Sequence, residues 1–250
     1  MIYSTTVDFI VLWKEFVHSY KMSYTYINQN LTELLSEIDE TASKAGVTVP
    51  KLVCVTKSGT DEELLALASL GIKAIGENRP GELKRRGEIL TGAGLFPELH
   101  EIGTLQSNKA KLVCGIATLI HSLDSLSLAK EISKESKKLG RPIDALIEIN
   151  SGREEQKGGV MPEDAERFLC DALAFGGINI KGLMTMGPAV GDPEELRSYF
   201  RETKKLFDNL NTRYGFGEGA TLSMGMSDSF RVAIEEGSTL VRVGRRLFKK

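Results

Sequence analysis

Cysteine is scarce in this chain of 250 residues: Cys54, Cys114 and Cys170 stand far apart and form neither a CxxC metal pattern nor an even disulfide set. A reducing, cytoplasmic setting is therefore expected. Excess charge of either sign is missing too, since 32 Lys and Arg meet 34 Asp and Glu for a formal net charge of −2, and no pull toward nucleic acid follows. No apolar run reaches the ~20 residues of a membrane helix; the nearest, Phe9 to Trp13, is far shorter. No basic region leads into an apolar stretch near Met1, so the start does not read as a secretory signal. With 41% hydrophobic and 26% charged residues, what is present suits a globular chain of one large domain or two small ones.

Residues 1–21 differ from the rest: they hold the single tryptophan, Trp13, and no helix caps. Met22 then opens an amphipathic segment, YINQNLTELLSEIDETASKAG. Two readings stand for residues 1–21: an upstream extension foreign to a native protein that starts at Met22, or a short accessory helix. Residues 22–250 are expected to form one domain.

Past Met22 two periods alternate. Short apolar, β-branched runs occur in KLVCVTK, IKAIGEN, LHEIG, ATLIHSL, DALIEIN, IKGLMTMG, TLSMGMS and TLVRVG, with stretches of helical period between them. Helix starts are marked by Thr60 with Glu63 as a capping box, by Pro80, by Asp124 and Ser125, by Pro162, and by Asp192 with Pro193. Gly46, Gly71, Gly140 and Gly176 mark helix ends. Strand and helix in alternation imply a parallel sheet. Eight strands predict a closed (β/α)8 TIM barrel; a doubly wound open sheet ranks second, because no GxGxxG follows the first strand. The last strand lacks a following helix, and a helix over Tyr24 to Ala45 is expected to take that place.

Chemistry in such barrels gathers at the C-terminal ends of the strands, and Lys57 ends the first one. Alone, a lysine at a strand end reads as a solvated residue before a covalent one. The stretch SMGMSDSF sets Gly225 and Ser227 where a strand turns toward a helix, which suits a phosphate or a simple turn with Ser227 as cap. Arg242, between Val241 and Val243, must escape to the rim or meet an anion, and Gly244 lets backbone approach a ligand. An amine and a phosphate cradle at one mouth invite a phosphorylated aldehyde, and pyridoxal 5'-phosphate (PLP) can condense with lysine as a Schiff base. Condensation needs the neutral amine, whereas a free lysine titrates near ~10.4, so partial burial and a nearby cation such as Arg242 are expected.

Taken together, the chain resembles the PLP-binding homeostasis proteins known as the YggS or PROSC family, whose fold is the alanine racemase N-terminal barrel. The likeness runs from about Tyr24 to Phe248 through VTK ending at Lys57, GENR at Gly76–Arg79, HEIGTLQSNK at His100–Lys109, IHSLDS from Ile120, and Asn150, Glu154, Lys157 and Gly159. It continues in GLMTMGP at Gly182–Pro188, LSMGMSDSF at Leu222–Phe230 and VRVG at Val241–Gly244. The resemblance implies Lys57 as the PLP lysine, Ser223, Met224, Gly225, Ser227 and Gly244 at the phosphate, and Arg242 facing the phosphate or the pyridine nitrogen. It also implies Asn78 and Met184 along the ring pocket. Departures from the family pattern are Leu99 in place of an aromatic residue, Glu101 at a normally apolar position of the pocket wall, and the broken segment at Pro80 and Gly81.

Racemases of the related fold need two bases, one on each face of the cofactor. Lys57 supplies one. Tyr199 and Tyr214 fall in the helix after strand six, His100 and His121 read as core or rim groups, and SNKAK at Ser107–Lys111 reads as a solvated basic turn. The expected function is thus a monomeric PLP carrier in intracellular PLP homeostasis, delivering cofactor to apo-enzymes, with Lys109, Lys111 and Lys157 as candidates for a second PLP. A PLP-dependent amino-acid racemase completed by a partner chain, and a Schiff-base aldolase on a sugar phosphate, are the other readings. No metal ligand set is expected.

Overall fold

The computed structural model describes residues 24–154 and 156–250, so the readings of residues 1–21 lie outside the described residues. Eight parallel strands close on themselves: β1 (Lys51–Val55), β2 (Ala74–Glu77), β3 (Glu98–Glu101), β4 (Leu119–Leu123), β5 (Ile143–Ile149), β6 (Ile178–Thr185), β7 (Thr221–Ser223) and β8 (Leu240–Val243). β8 returns to β1, Leu240–Val243 against Lys51–Cys54, so no strand edge is left open. The crossovers carry α2 (Asp61–Ser69), α3 (Pro80–Gly92), α4 (Ala110–Cys114), α5 (Leu126–Leu139), α6 (Ala165–Ala174), α7 (Arg197–Tyr214) and α8 (Phe230–Glu235), while α1 (Thr25–Ala45) precedes β1. This is the (β/α)8 barrel, not the open sheet.

Period-two alternation divides the strand residues between two cores. Val53, Ala74 and Leu240 cluster inside the barrel, as do Leu119, Leu146 and Met184. Their neighbours in sequence, such as Cys54, Ile75, Ile120, Ile147 and Val241, pack outward against the helices. Inward parity on β1 therefore runs Val53, Val55, Lys57.

Local chemistry places the helices. The Thr60 hydroxyl accepts the Glu63 N–H at 3.2 Å and the Glu63 carboxylate accepts the Thr60 N–H at 2.7 Å, the expected capping box of α2. Ser125, not Asp124, caps α5 by accepting from the Leu128 N–H. Pro80 and Gly81 break nothing: proline sits in the first turn, where its missing N–H costs no helical bond, and α3 runs on to Gly92. Ser107–Lys111 is a solvated basic turn as expected: a 3-10 turn at Ser107–Lys109 runs into α4, with Lys109 and Lys111 exposed.

α1 buries Ile27, Leu31, Leu34 and Ile38, a stripe spaced by four, three and four residues. The stripe shares a cluster with Phe230, Ile234, Val241 and Val243, so α1 covers the seam where β8 meets β1, as expected. Each such side chain contributes about 1.5–3 kcal/mol of apolar burial. Gly46 ends the helix at φ 67°, a left-handed conformation that suits glycine.

Candidate functional site

Lys57 lies two residues beyond the end of β1 and is exposed at the C-terminal rim. The partial burial expected for it is not found, since among the described residues no neighbouring element covers the side chain. Its loop is nonetheless fixed: the Gly59 N–H donates to the Thr56 carbonyl at 2.9 Å, and Arg86 Nη2 donates to the Gly59 carbonyl at 2.8 Å. A Cβ on Gly59 would lie 2.7 Å from the Phe248 ring, so this turn is seated on the C-terminal segment.

The neighbouring strand ends complete the rim. A Cβ on Gly244 would meet the Val55 carbonyl at 2.7 Å, so the backbone after β8 lies tight against the strand that delivers Lys57. Gly225 takes φ 90°, with a virtual Cβ 2.5 Å from Ala233, and its carbonyl accepts the Arg242 N–H at 3.1 Å. The Gly244 N–H donates to Ser227 Oγ at 3.4 Å. Lys57, Gly225, Ser227 and Gly244 are thereby brought to one side of one mouth, on adjacent strand ends. Asn78, exposed just past β2, joins them, and its backbone is packed so closely that a Cβ on Gly103 would fall 2.3 Å from its carbonyl. Met184 lies deeper, in the inward layer with Leu119 and Leu146.

Two expected contacts fall elsewhere. Met224 sends its side chain into the outer hydrophobic cluster and its N–H to the Leu240 carbonyl. Ser223 is fully buried, with its hydroxyl between Arg242 Nη1 and His121 Nδ1, the latter at 3.1 Å. Arg242 is buried as well and also donates to the Thr185 carbonyl at 3.1 Å. Burial lowers its pKa to about 10, an effect that Glu148 partly offsets, so the guanidinium stays charged at neutral pH. Burial and the nearby Asp124 raise Glu148 to about 7. A guanidinium beneath a mouth lined by glycine backbone and a lysine amine can take a ligand that is both an anion and an aldehyde.

Residues 29–250 match the family model described as alanine racemase, N-terminal domain. The pyridoxal phosphate homeostasis protein of Aquifex aeolicus is 40% identical over 222 residues, spanning 88% of this chain and 96% of that protein. Its namesake in Helicobacter pylori is 38% identical over 204 residues, spanning 81% and 88%. The chain belongs to the pyridoxal phosphate homeostasis protein family. Among solved structures, PipY of Synechococcus elongatus with PLP bound superimposes with a TM-score of 0.77 at 27% identity, covering 89% of this chain and 100% of that one. An alanine racemase of Clostridium difficile, at 16% identity, shares the fold over 90% of this chain and 60% of its own, with a TM-score of 0.70.

For this member of the pyridoxal phosphate homeostasis family, several groups escaped the sequence reading. Glu98, Glu148 and Thr185 contact or face the buried line that ends at Arg242, yet each lies in a strand whose inward face only the closed barrel reveals. Inward parity with Met184 and His100 is the one signal that marks Glu148 and Glu98. Glu101, expected in the pocket wall, instead shares the outward face of Leu99, which packs on Gly87 of α3. Among the described residues neither of its buried carboxylate oxygens makes a hydrogen bond of good geometry, and burial raises its pKa to about 8 although the Gly103 N–H offsets part of the rise. Tyr199 packs on the outer core, and Tyr214 donates to Glu166 at 2.5 Å on the helical surface, so neither faces the mouth. Lys109 and Lys111 are exposed, and Lys157 pairs with Glu154 at 2.5 Å.

Proposed function

We propose that the chain holds PLP on Lys57 as a Schiff base and serves intracellular PLP homeostasis as a carrier that hands the cofactor to apo-enzymes. The residues fit the group: the mouth has an exposed primary amine, and Gly225 and Gly244 are packed too tightly on Ala233 and Val55 to carry a side chain, which leaves bare backbone at the rim beside it. When bound, PLP supplies an aldehyde that takes up the lysine amine with loss of water. Gly225, Ser227 and Gly244 would hold its phosphate through backbone and hydroxyl, Asn78 and Met184 would border the ring, and Arg242 would supply positive charge to the site. Membership of the family and the PLP-bound relative PipY support this reading. The observation that carries it is the packing of Gly244 on Val55, which sets the cradle beside the lysine strand.

An exposed lysine also suits a carrier, because an acceptor protein can reach what the rim holds. The two tyrosines that could have furnished a second base face away from the mouth, which weighs against a racemase. Among the described residues no helix is long and apolar enough to cross a membrane, and we propose that the protein works in the cytoplasm as a monomer. Borohydride reduction of the yellow protein followed by peptide mass spectrometry is expected to place the label on Lys57, and an apo-aminotransferase added to the unreduced protein is expected to regain activity. Label on another lysine rejects the site. Rapid α-proton exchange with inversion of an amino acid in deuterated water rejects the carrier in favour of the racemase.

A further inference from the structure

An unbroken line of hydrogen-bonding groups runs through the barrel, from its N-terminal floor to the ligand site. Lys51 opens β1 and Glu98 opens β3, and they pair at 2.5 Å on the floor. Glu98 Oε2 lies 3.0 Å from His100 Nε2, and His100 Nδ1 lies 2.9 Å from His121 Nε2. His121 Nδ1 lies 3.1 Å from Ser223 Oγ, which also meets Arg242 Nη1. Both rings are buried.

The two ends dictate where every hydrogen in between must sit. An arginine can only donate and an ionised carboxylate can only accept. Hydrogen bonding to His100, together with the Lys51 charge, pulls Glu98 down to about 2, so Glu98 accepts the His100 Nε2–H. Neutral His100 then has only a lone pair on Nδ1, and His121 Nε2 must donate to it. His121 Nδ1 is left as an acceptor, and Ser223, whose oxygen takes the Arg242 N–H, donates its own O–H there. All donors point toward Glu98 and no hydrogen is surplus. A further proton on either ring would set hydrogen against hydrogen in one of these contacts. Burial lowers both histidines; the charges acting on them are Lys51 on β1, Glu98 on β3 and Arg242 on β8, and among the described residues Glu98 is the one carboxylate paired with a ring.

We propose that Glu98, His100 and His121 are positioning residues: their one-way relay turns the Ser223 hydroxyl away from the mouth and holds Arg242 against it, so a carboxylate on the barrel floor fixes the guanidinium at the ligand site. The functional half of this inference rests on Arg242 facing PLP, and the relay itself does not.

Nitrogen NMR of the ligand-free protein, labelled at histidine, reads the relay directly. His100 and His121 are expected as neutral Nε2–H tautomers from pH 6 to 8. Glu98→Gln is expected to keep them, because the amide oxygen still accepts. Exchanging the pair, Lys51→Glu with Glu98→Lys, keeps the surface ion pair but faces His100 with a donor. Both rings are then expected to switch to Nδ1–H, and PLP, titrated by absorbance, is expected to bind about tenfold more weakly because the Ser223 O–H, no longer accepted by His121, is freed to turn toward the mouth beside Arg242. An imidazolium or Nδ1–H ring in the unmodified protein overturns the relay, as does an exchanged protein that leaves His121 unchanged. Should the exchanged protein not fold, the unmodified and Glu98→Gln spectra still decide. Switched rings with unaltered PLP affinity overturn the positioning role alone. A protein that takes up no PLP in any form defeats the ligand reading and leaves the tautomers standing.

Discussion

Two groups of polar residues lie on opposite faces of the barrel wall and behave in opposite ways. Inside the barrel, Glu98, His100, His121, Ser223 and Arg242 each find a partner along one continuous line. Outside it, between β1, β2, β3 and α3, Thr56 donates to Glu77 at 2.5 Å and Arg86 lies 3.1 Å from Glu77, but among the described residues neither Glu101 carboxylate oxygen makes a hydrogen bond of good geometry. Burial of polar atoms is thus no guide to their worth; completeness of pairing is. The inner set acts as a frame, whereas the outer one carries a penalty.

The most drastic test concerns what the frame serves. Lys57→Ala is expected to abolish the borohydride-fixed adduct and the yellow colour, while the melting temperature of the ligand-free protein stays within a degree or two, because the side chain is exposed.

Next in size is Glu101→Leu. A carboxyl held near 8 in the folded chain and near ~4.3 when unfolded binds its proton more tightly in the native state. Stability contributed by this residue is therefore greatest in acid and falls as pH rises from about 4.5 to about 8. Glu101→Leu is expected to stabilise by about 3–5 kcal/mol at pH 8 and by far less at pH 5, seen by urea denaturation.

On the inner face the same kind of change should reverse in sign. His121→Leu strands the Ser223 hydroxyl and His100 Nδ1, and is expected to destabilise by about 2–3 kcal/mol at pH 7. Because the folded pKa of His121 is depressed, the unfolded chain binds the extra proton, and stability is lost as pH falls through about 6.5. The leucine variant is expected to lose that acid slope. If both leucine variants move stability in the same direction, the contrast between the two faces is wrong.

The smallest effect sharpens the picture of the lysine loop. Thr60→Ala removes the α2 cap three residues past Lys57 and is expected to cost about 1 kcal/mol in denaturant melts.

The barrel could be read from the sequence because its signals are local. Eight β-branched runs, a Thr60–Glu63 box and proline at helix starts each report on a handful of neighbouring residues. Lys57 and the Gly225–Ser227 turn were visible for the same reason. The relay was not, since Glu98, His121 and Ser223 meet only after the barrel closes across 125 residues of chain (223 minus 98). Parity decided the other misses: one step along β7 sends Ser223 inward and Met224 outward, and Glu101 goes with Leu99 to the helical side. The chemical type of those residues carries no record of which way they point.

The seat of Phe248 beneath Gly59 has a temporal meaning. Lys57 leaves the ribosome long before the segment that props up its loop, and Asn30 of α1 holds that same segment by donating to the Leu247 and Lys249 carbonyls. A nascent chain can thus display the Lys57 amine without its support, and the loop that carries it is propped only when the late-made residues dock between α1 and the loop after β1.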